Sequence, residues 1–209
     1  MTGIIAQNVG RTSGLIKAAS GGGGGVWTLI KTLTASADSD LSFVDGTDDV
    51  TLDSTYPIYR FSFINMHPAS STELQFQTSI DGGSNYNVTL TSAHFYAYQT
   101  EAAAAGLTYY TGGDQAQGTS FQRISRVHND NDSSTSGFLT LFNPSSTTFV
   151  KHFISNFNAE NETYSQNLYT AGYFNTTSAI DAVQFKMGAD EIDSGKIKLY
   201  GLKDSAWVE

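Results

Sequence analysis

The chain contains no cysteine. Disulfide staples, thiolate nucleophiles and zinc sites built on Cys clusters are therefore excluded, and stability must come from packing or from neighbouring subunits. Charge is also scarce. Asp, Glu, Lys and Arg make up 15% of the residues, with 20 acidic side chains against 11 basic ones and a formal net charge of −9 at pH 7. An acidic chain without a basic stripe is a poor ligand for a phosphate backbone, which needs clustered Lys and Arg, so nucleic-acid binding is excluded. No stretch approaches the roughly 18 uninterrupted apolar residues of a membrane helix, and no basic region followed by a long hydrophobic run opens the sequence. The chain thus reads as neither membrane-embedded nor Sec-exported. GxSxG, HExxH, P-loop and GxGxxG patterns are missing too, which removes the familiar signatures of acyl transfer, zinc hydrolysis and nucleotide binding.

Ser, Thr, Asn, Gly, Tyr and Phe are plentiful, and helix formers are few. Such a composition favours pleated sheets joined by tight turns. At 209 residues the chain suits one β-sandwich with a core large enough to stand without staples. Five consecutive glycines, Gly21, Gly22, Gly23, Gly24 and Gly25, divide it. They have no side chain to pack and the most backbone entropy to lose, so they form a hinge rather than part of a core element. Residues 1–25 are read as an N-terminal arm and residues 26–209 as the folded domain, with Trp27 expected as the first residue to enter the core. In the arm, the apolar pairs Ile4-Ile5 and Leu15-Ile16 flank small and polar residues and Arg11 without a helical or strand period. Disordered tails are usually poor in Ile and Leu, so these residues are expected to dock on a partner.

Beyond the hinge, strands are expected at 26–34, 58–66, 107–110, 120–127, 137–143, 147–157, 168–174, 182–187 and 196–202. In Ile58–Met66, Tyr59, Phe61 and Phe63 share one face. Residues 41–53 read as two short strands around Asp45-Gly46, and residues 74–90 as a hairpin turning at Asp81-Gly82-Gly83-Ser84. Glu101–Gly106 reads as a single helical turn or a loop between sheets. Short strands with turn signals about every 8 to 12 residues predict an all-β fold, an antiparallel, jelly-roll-like β-sandwich.

Candidate chemistry is thin. Asp45, Asp48, Asp49 and Asp53 could hold Ca²⁺ but also simply make turns. Asp130 and Asp132 resemble the start of a calcium loop without its Gly and distant Glu. His67, His94, His128 and His152 are scattered without metal-ligand spacing. No metal or cofactor is expected, and no enzymatic activity, although two suitably spaced carboxylates are all that a glycosidase needs. Sequons at Asn87, Asn161 and Asn175 are read as chance. Tyr96, Tyr98, Tyr109, Tyr110, Tyr164 and Tyr169 fall near strand ends and loops, where tyrosines serve as core, as interface or as stacking platforms for sugars. Tyr96, Tyr98 and Tyr110 are the candidates for glycan contact.

Four phrases taken together carry a resemblance: Gly3-Ile-Ile-Ala-Gln-Asn-Val-Gly-Arg-Thr-Ser-Gly-Leu-Ile16, Val26-Trp-Thr-Leu-Ile-Lys-Thr-Leu33, Ser79-Ile-Asp-Gly-Gly-Ser-Asn-Tyr86 and Ile197-Lys-Leu-Tyr-Gly-Leu202. The chain resembles small virion proteins of marine tailed bacteriophages, in which a short Gly-Ile-Ile arm precedes a β domain. The resemblance runs the length of the chain and includes no catalytic motif. It implies a structural role on the surface of a phage particle, with the major capsid protein or tail proteins of that particle as partners. The expected function is that of a capsid decoration (cement) or head-fibre protein, homotrimeric and docked by its arm. The alternative is a tail-associated receptor-binding or tail fibre protein that recognises host surface glycans. A third possibility is a secreted carbohydrate-active enzyme.

Overall fold

The computed structural model describes residues 26–203. The arm residues Ile4, Ile5, Arg11, Leu15 and Ile16 and the hinge glycines Gly21 to Gly25 lie outside the described residues. Thirteen strands and no helix occur among those described. They are β1 (Trp27–Asp38), β2 (Leu41–Val44), β3 (Ile58–Pro68), β4 (Thr72–Ser79), β5 (Leu90–Thr100), β6 (Ala105–Tyr109) and β7 (Gln115–Gly118), then β8 (Gln122–Val127), β9 (Thr135–Phe142), β10 (Lys151–Glu160), β11 (Tyr164–Phe174), β12 (Ala182–Met187) and β13 (Ile192–Leu202).

Two antiparallel sheets form the sandwich. The larger has the order β1-β13-β3-β9-β10-β11-β5-β6, with β7 paired to the first half of β5; the smaller has the order β2-β12-β4-β8. The pairs β1·β13, β2·β12 and β5·β11 nest inside one another. That nesting is compatible with a jelly roll, a long hairpin rolled so that successive strands change sheets.

Period-two alternation builds the core. On β3, Tyr59, Phe61 and Phe63 point inward and are buried, as their spacing predicts. On β13, Ile197 and Leu199 are fully buried while Lys196, Lys198 and Tyr200 take the other face. From the small sheet, Phe43, Phe76 and Phe185 meet Phe61, Phe63, Phe153 and Phe174 of the large one in mostly edge-to-face contacts. Such packing suits the ring quadrupole. The buried Lys151 donates from Nζ to the carbonyls of Phe149 at 3.0 Å and Thr176 at 3.2 Å, and burial lowers its pKa.

Several local expectations are corrected. Residues 74–90 are not a hairpin. β4 pairs with β12 and β8 of the small sheet, whereas β5 lies in the large sheet beside β11. The turn itself is real: Gly82 and Gly83 have positive φ, and Asp81 accepts from Asn85 N at 2.9 Å. The chain after it crosses between sheets, and the fully buried Gln77 donates from Nε2 to the carbonyls of Val88, Thr119 and Ser120 along the crossing. Around Asp45-Gly46 only β2 is a strand; Val50 and Leu52 are buried in a compact turn that closes through Leu52 N to Asp45 Oδ1 at 2.8 Å. Glu101–Gly106 is neither helical nor a crossover between sheets. It turns β5 directly into β6, with Ala104 N donating to Thr100 Oγ1 at 2.9 Å.

Trp27 does not enter the core. It lies half-buried on the outer face of the large sheet, where the Arg60 guanidinium sits 4.6 Å from its ring and 4.6 Å from that of Phe138. This sandwich ties β1, β3 and β9 together. Each cation–π contact at such a site is worth about 0.5–1 kcal/mol, so Arg60→Ala is expected to cost about 1–2 kcal/mol in a thermal or urea unfolding curve.

Candidate functional site

The two sheets are unequal in width, and the site follows from that mismatch. β8, the edge strand of the small sheet, packs over β10 and β11. β5 and β6 continue the large sheet past it, so part of their inward face has no strand above it. In a sandwich such positions would be core; here they form the wall of an open cleft.

The inward face of this overhang is set by register. Tyr98 pairs with Gln166 of β11 on one side and with Gly106 of β6 on the other, Tyr96 pairs with Leu168 and Thr108, and Tyr164 pairs with Thr100. Tyr96, Tyr98, Thr100, Thr108, Tyr164 and Gln166 enclose a cleft of about 280 Å³. The ring centroids of Tyr98 and Tyr164 are 6.3 Å apart and nearly perpendicular, and those of Tyr96 and Tyr98 are 6.3 Å apart and tilted. Tyr98 lies across Gly106: a Cβ there would stand 2.7 Å from its ring. Gln166 is 5% exposed, and its Oε1 is buried with no hydrogen-bond partner among the described residues. No charged side chain lines the cleft.

Of the three tyrosines singled out for glycan contact, Tyr96 and Tyr98 share this cleft and Tyr110 does not. Tyr110 lines a neighbouring cavity of about 360 Å³ together with Glu73, Asp114 and Arg123. Its ring is already occupied by the Arg123 guanidinium, 4.8 Å from the centroid. Tyr109 and Tyr169 lie on the opposite, outer face. Tyr109 donates to Asp114 at 2.7 Å, which raises its pKa, and Tyr169 stacks on Phe95 with centroids 5.2 Å apart. Gln166, Thr100 and Thr108 were not singled out by sequence. The even-numbered run Tyr164, Gln166, Leu168, Thr170 held the signal, since it places an amide on an otherwise inward-facing row.

His94 lies behind Tyr110, ring centroids 6.0 Å apart, fully buried, with Nδ1 2.7 Å from Thr170 Oγ1 and no partner for Nε2 among the described residues. Burial, reinforced by the nearby positive charge of Arg123, pushes its pKa down to about 4, against a smaller opposing effect of Asp114.

Of the acidic candidates, Asp45 and Asp53 engage a carboxylate oxygen in local turns. Asp53 Oδ1 accepts from Thr55 N at 2.7 Å, and its hydrogen bonds with Thr55 lower its pKa; the carbonyl of Asp48 accepts from Lys31 Nζ at 2.8 Å. A grouping that sequence spacing did not reveal is His128 with Asp130 and Glu162. Its ligand atoms lie within 4.8 Å of one another. His128 Nδ1 is 3.2 Å from Asp130 and Nε2 3.5 Å from Glu162, so both ring nitrogens already face carboxylates. Asp132 belongs to another cavity, beside His67 and Asp193. His152 is exposed on the outer face of β10 near Tyr173.

Compared with family models, curated proteins and solved structures, the chain matches none.

Proposed function

We propose that the chain is a non-enzymatic structural protein of a phage particle, a capsid decoration or head-fibre subunit that self-associates through the outer face of its large sheet and is tethered by residues 1–25. The outer face carries this reading. One continuous row crosses five strands, Phe138, Asn156, Tyr169, Phe95 and Tyr109 on β9, β10, β11, β5 and β6. Ile154 and Leu107 flank it, and Leu107 is 73% exposed. Across β10, β11, β5 and β6 this face carries a single carboxylate, Glu160 at the end of β10, and no Lys or Arg. Large exposed apolar patches mark interaction sites.

The occupant proposed is a second copy of the chain. Subunits with a net charge of −9 repel one another over most of their surface, and a face nearly free of charge is where copies meet at least electrostatic cost. A homotrimer tethered at many points on a lattice would gain avidity from replicated weak contacts. Sedimentation equilibrium of the full chain is expected to show a trimer, and Phe95→Glu combined with Leu107→Glu to yield folded monomer. A monomeric wild type, or a trimer indifferent to both substitutions, overturns the self-association. Quantitative mass spectrometry of purified particles tests the location: copies in proportion to the capsid protein are expected, copies in proportion to tail proteins favour the receptor-binding alternative, and absence from particles rejects both.

A further inference from the structure

The tyrosine cleft points to a ligand that the assembly role does not require. We propose that the cleft between β5, β6 and β11 binds a neutral hexopyranose residue of an oligosaccharide or polysaccharide. The proposal is independent of self-association, because the cleft opens on the face opposite the row of Phe95 and Tyr169.

Four features select this chemistry. Tyr96, Tyr98 and Tyr164 present rings at three orientations along one wall. The C–H faces of a pyranose stack on such rings, while each phenol offers a donor and an acceptor at its rim. Gln166 is the second, independent observation. A buried amide oxygen without a partner carries an uncompensated desolvation cost. Turned towards the cleft that its residue lines, this amide accepts from a sugar hydroxyl, with the hydroxyls of Thr100 and Thr108 alongside. A buried polar group that only the ligand satisfies is also the commonest source of strong discrimination, since an analogue lacking the hydroxyl leaves it unpaired. Third, the lining has neither cation nor carboxylate. Sialic acids, uronic acids and phosphorylated sugars would lack a counter-charge there and would meet the field of an acidic protein, so the ligand is uncharged. Fourth, about 280 Å³ lies just under the roughly 300–1,000 Å³ of sites that engulf drug-sized ligands. One sugar residue fits, with its neighbours left outside the open cleft.

Gly106 fixes the platform. Because a Cβ there would collide with Tyr98, only glycine lets that ring lie across β6 and keep one face turned to the cleft.

The test is titration calorimetry of the full-length protein with short oligosaccharides of glucose, galactose, mannose and N-acetylglucosamine at millimolar concentration, and with a sialylated oligosaccharide. At least one neutral series is expected to bind and the sialylated one not. Tyr98→Ala and Gln166→Leu are each expected to weaken binding about tenfold or more, and Tyr98→Phe by much less. Gln166→Leu is the informative variant. Oε1 has no partner to lose, so its thermal midpoint is expected to match or exceed that of the wild type while binding falls. Absence of binding across all neutral series, binding confined to the sialylated probe, or binding that survives both Tyr98→Ala and Gln166→Leu overturns the proposal.

Discussion

Replacing Phe185 with alanine is expected to lower the unfolding free energy by about 3–5 kcal/mol, the usual cost of deleting a fully buried phenyl ring. Phe185 lies at the centre of the aromatic core. It belongs to β12 of the small sheet and packs edge-on against Phe61 and Phe63 of β3, both at 5.0 Å, and against Phe43 at 6.2 Å, while stacking near Phe76 at 6.2 Å. Its removal therefore opens a cavity lined by four other rings, from both sheets. Those rings are held by their own strands, so the gap closes poorly. Domains of this size hold roughly 5–15 kcal/mol in total, and the variant is expected to be partly unfolded at moderate temperature. Urea denaturation measures the effect. Ile80→Ala, at a site 44% exposed, serves as the comparison and is expected to change stability by no more than about 0.5 kcal/mol. A loss near that small value for Phe185→Ala would contradict a core centred on this ring.

Acid destabilisation governed by His94 is the second large effect. Its pKa in the folded protein is about 4, against an ordinary value of about 6.5 in the unfolded chain. The unfolded state therefore takes up a proton that the folded state refuses. The stability linked to this group is fully present above pH 6.5 and is lost as the pH falls towards 4, where both forms become protonated. At about 1.4 kcal/mol per pKa unit the loss is on the order of 3 kcal/mol. The cause is burial against Thr170 and beside Arg123, so an amide that keeps a hydrogen bond to Thr170 should abolish the titration. His94→Gln is expected to flatten the stability curve between pH 6.5 and 4. The carboxylates act in a different window: hydrogen bonds from Asn85 and Ser79 hold Asp81 at about 2, and its contribution is lost only below the ordinary Asp value. Chemical denaturation at a series of pH values checks the assignment, and an unchanged slope in His94→Gln would refute it.

Much of the architecture was legible in the sequence because two-residue alternation is a local property. The faces of β3 and β13 could be read directly, as could the all-β class and the turn at Asp81-Gly82-Gly83. Pairing was less accessible. Residues 74–90 have the alternation and turn chemistry of a hairpin, yet β4 and β5 lie in different sheets. No short-range pattern states that Gln77 satisfies three backbone carbonyls of the crossing segments. Trp27 misled for a related reason. An aromatic residue at the start of a strand fits a core position, but the guanidinium of Arg60, two strands away on β3, offered it a place outside.

The candidate cleft was half legible. Tyr96 and Tyr98 stand two apart on one strand, so their common face follows from the sequence. Tyr110 was grouped with them by residue type; its ring meets Tyr96 edge-on at 6.1 Å but lies against Arg123 and lines the neighbouring cavity instead. Glu162 could not be assigned to His128, since the two meet only through the packing of two loops.

The sequence by itself determined the β class, the lack of thiol chemistry, the net acidity and which side chains face inward on β3 and β13. Each depends on composition or on neighbours in the chain. Only the tertiary structure decided the strand order, the overhang of the large sheet beyond β8 and the charge-poor outer face of β10, β11, β5 and β6. These arise where strands distant in sequence are placed side by side, and the difference in width between two sheets is written in no single one of them.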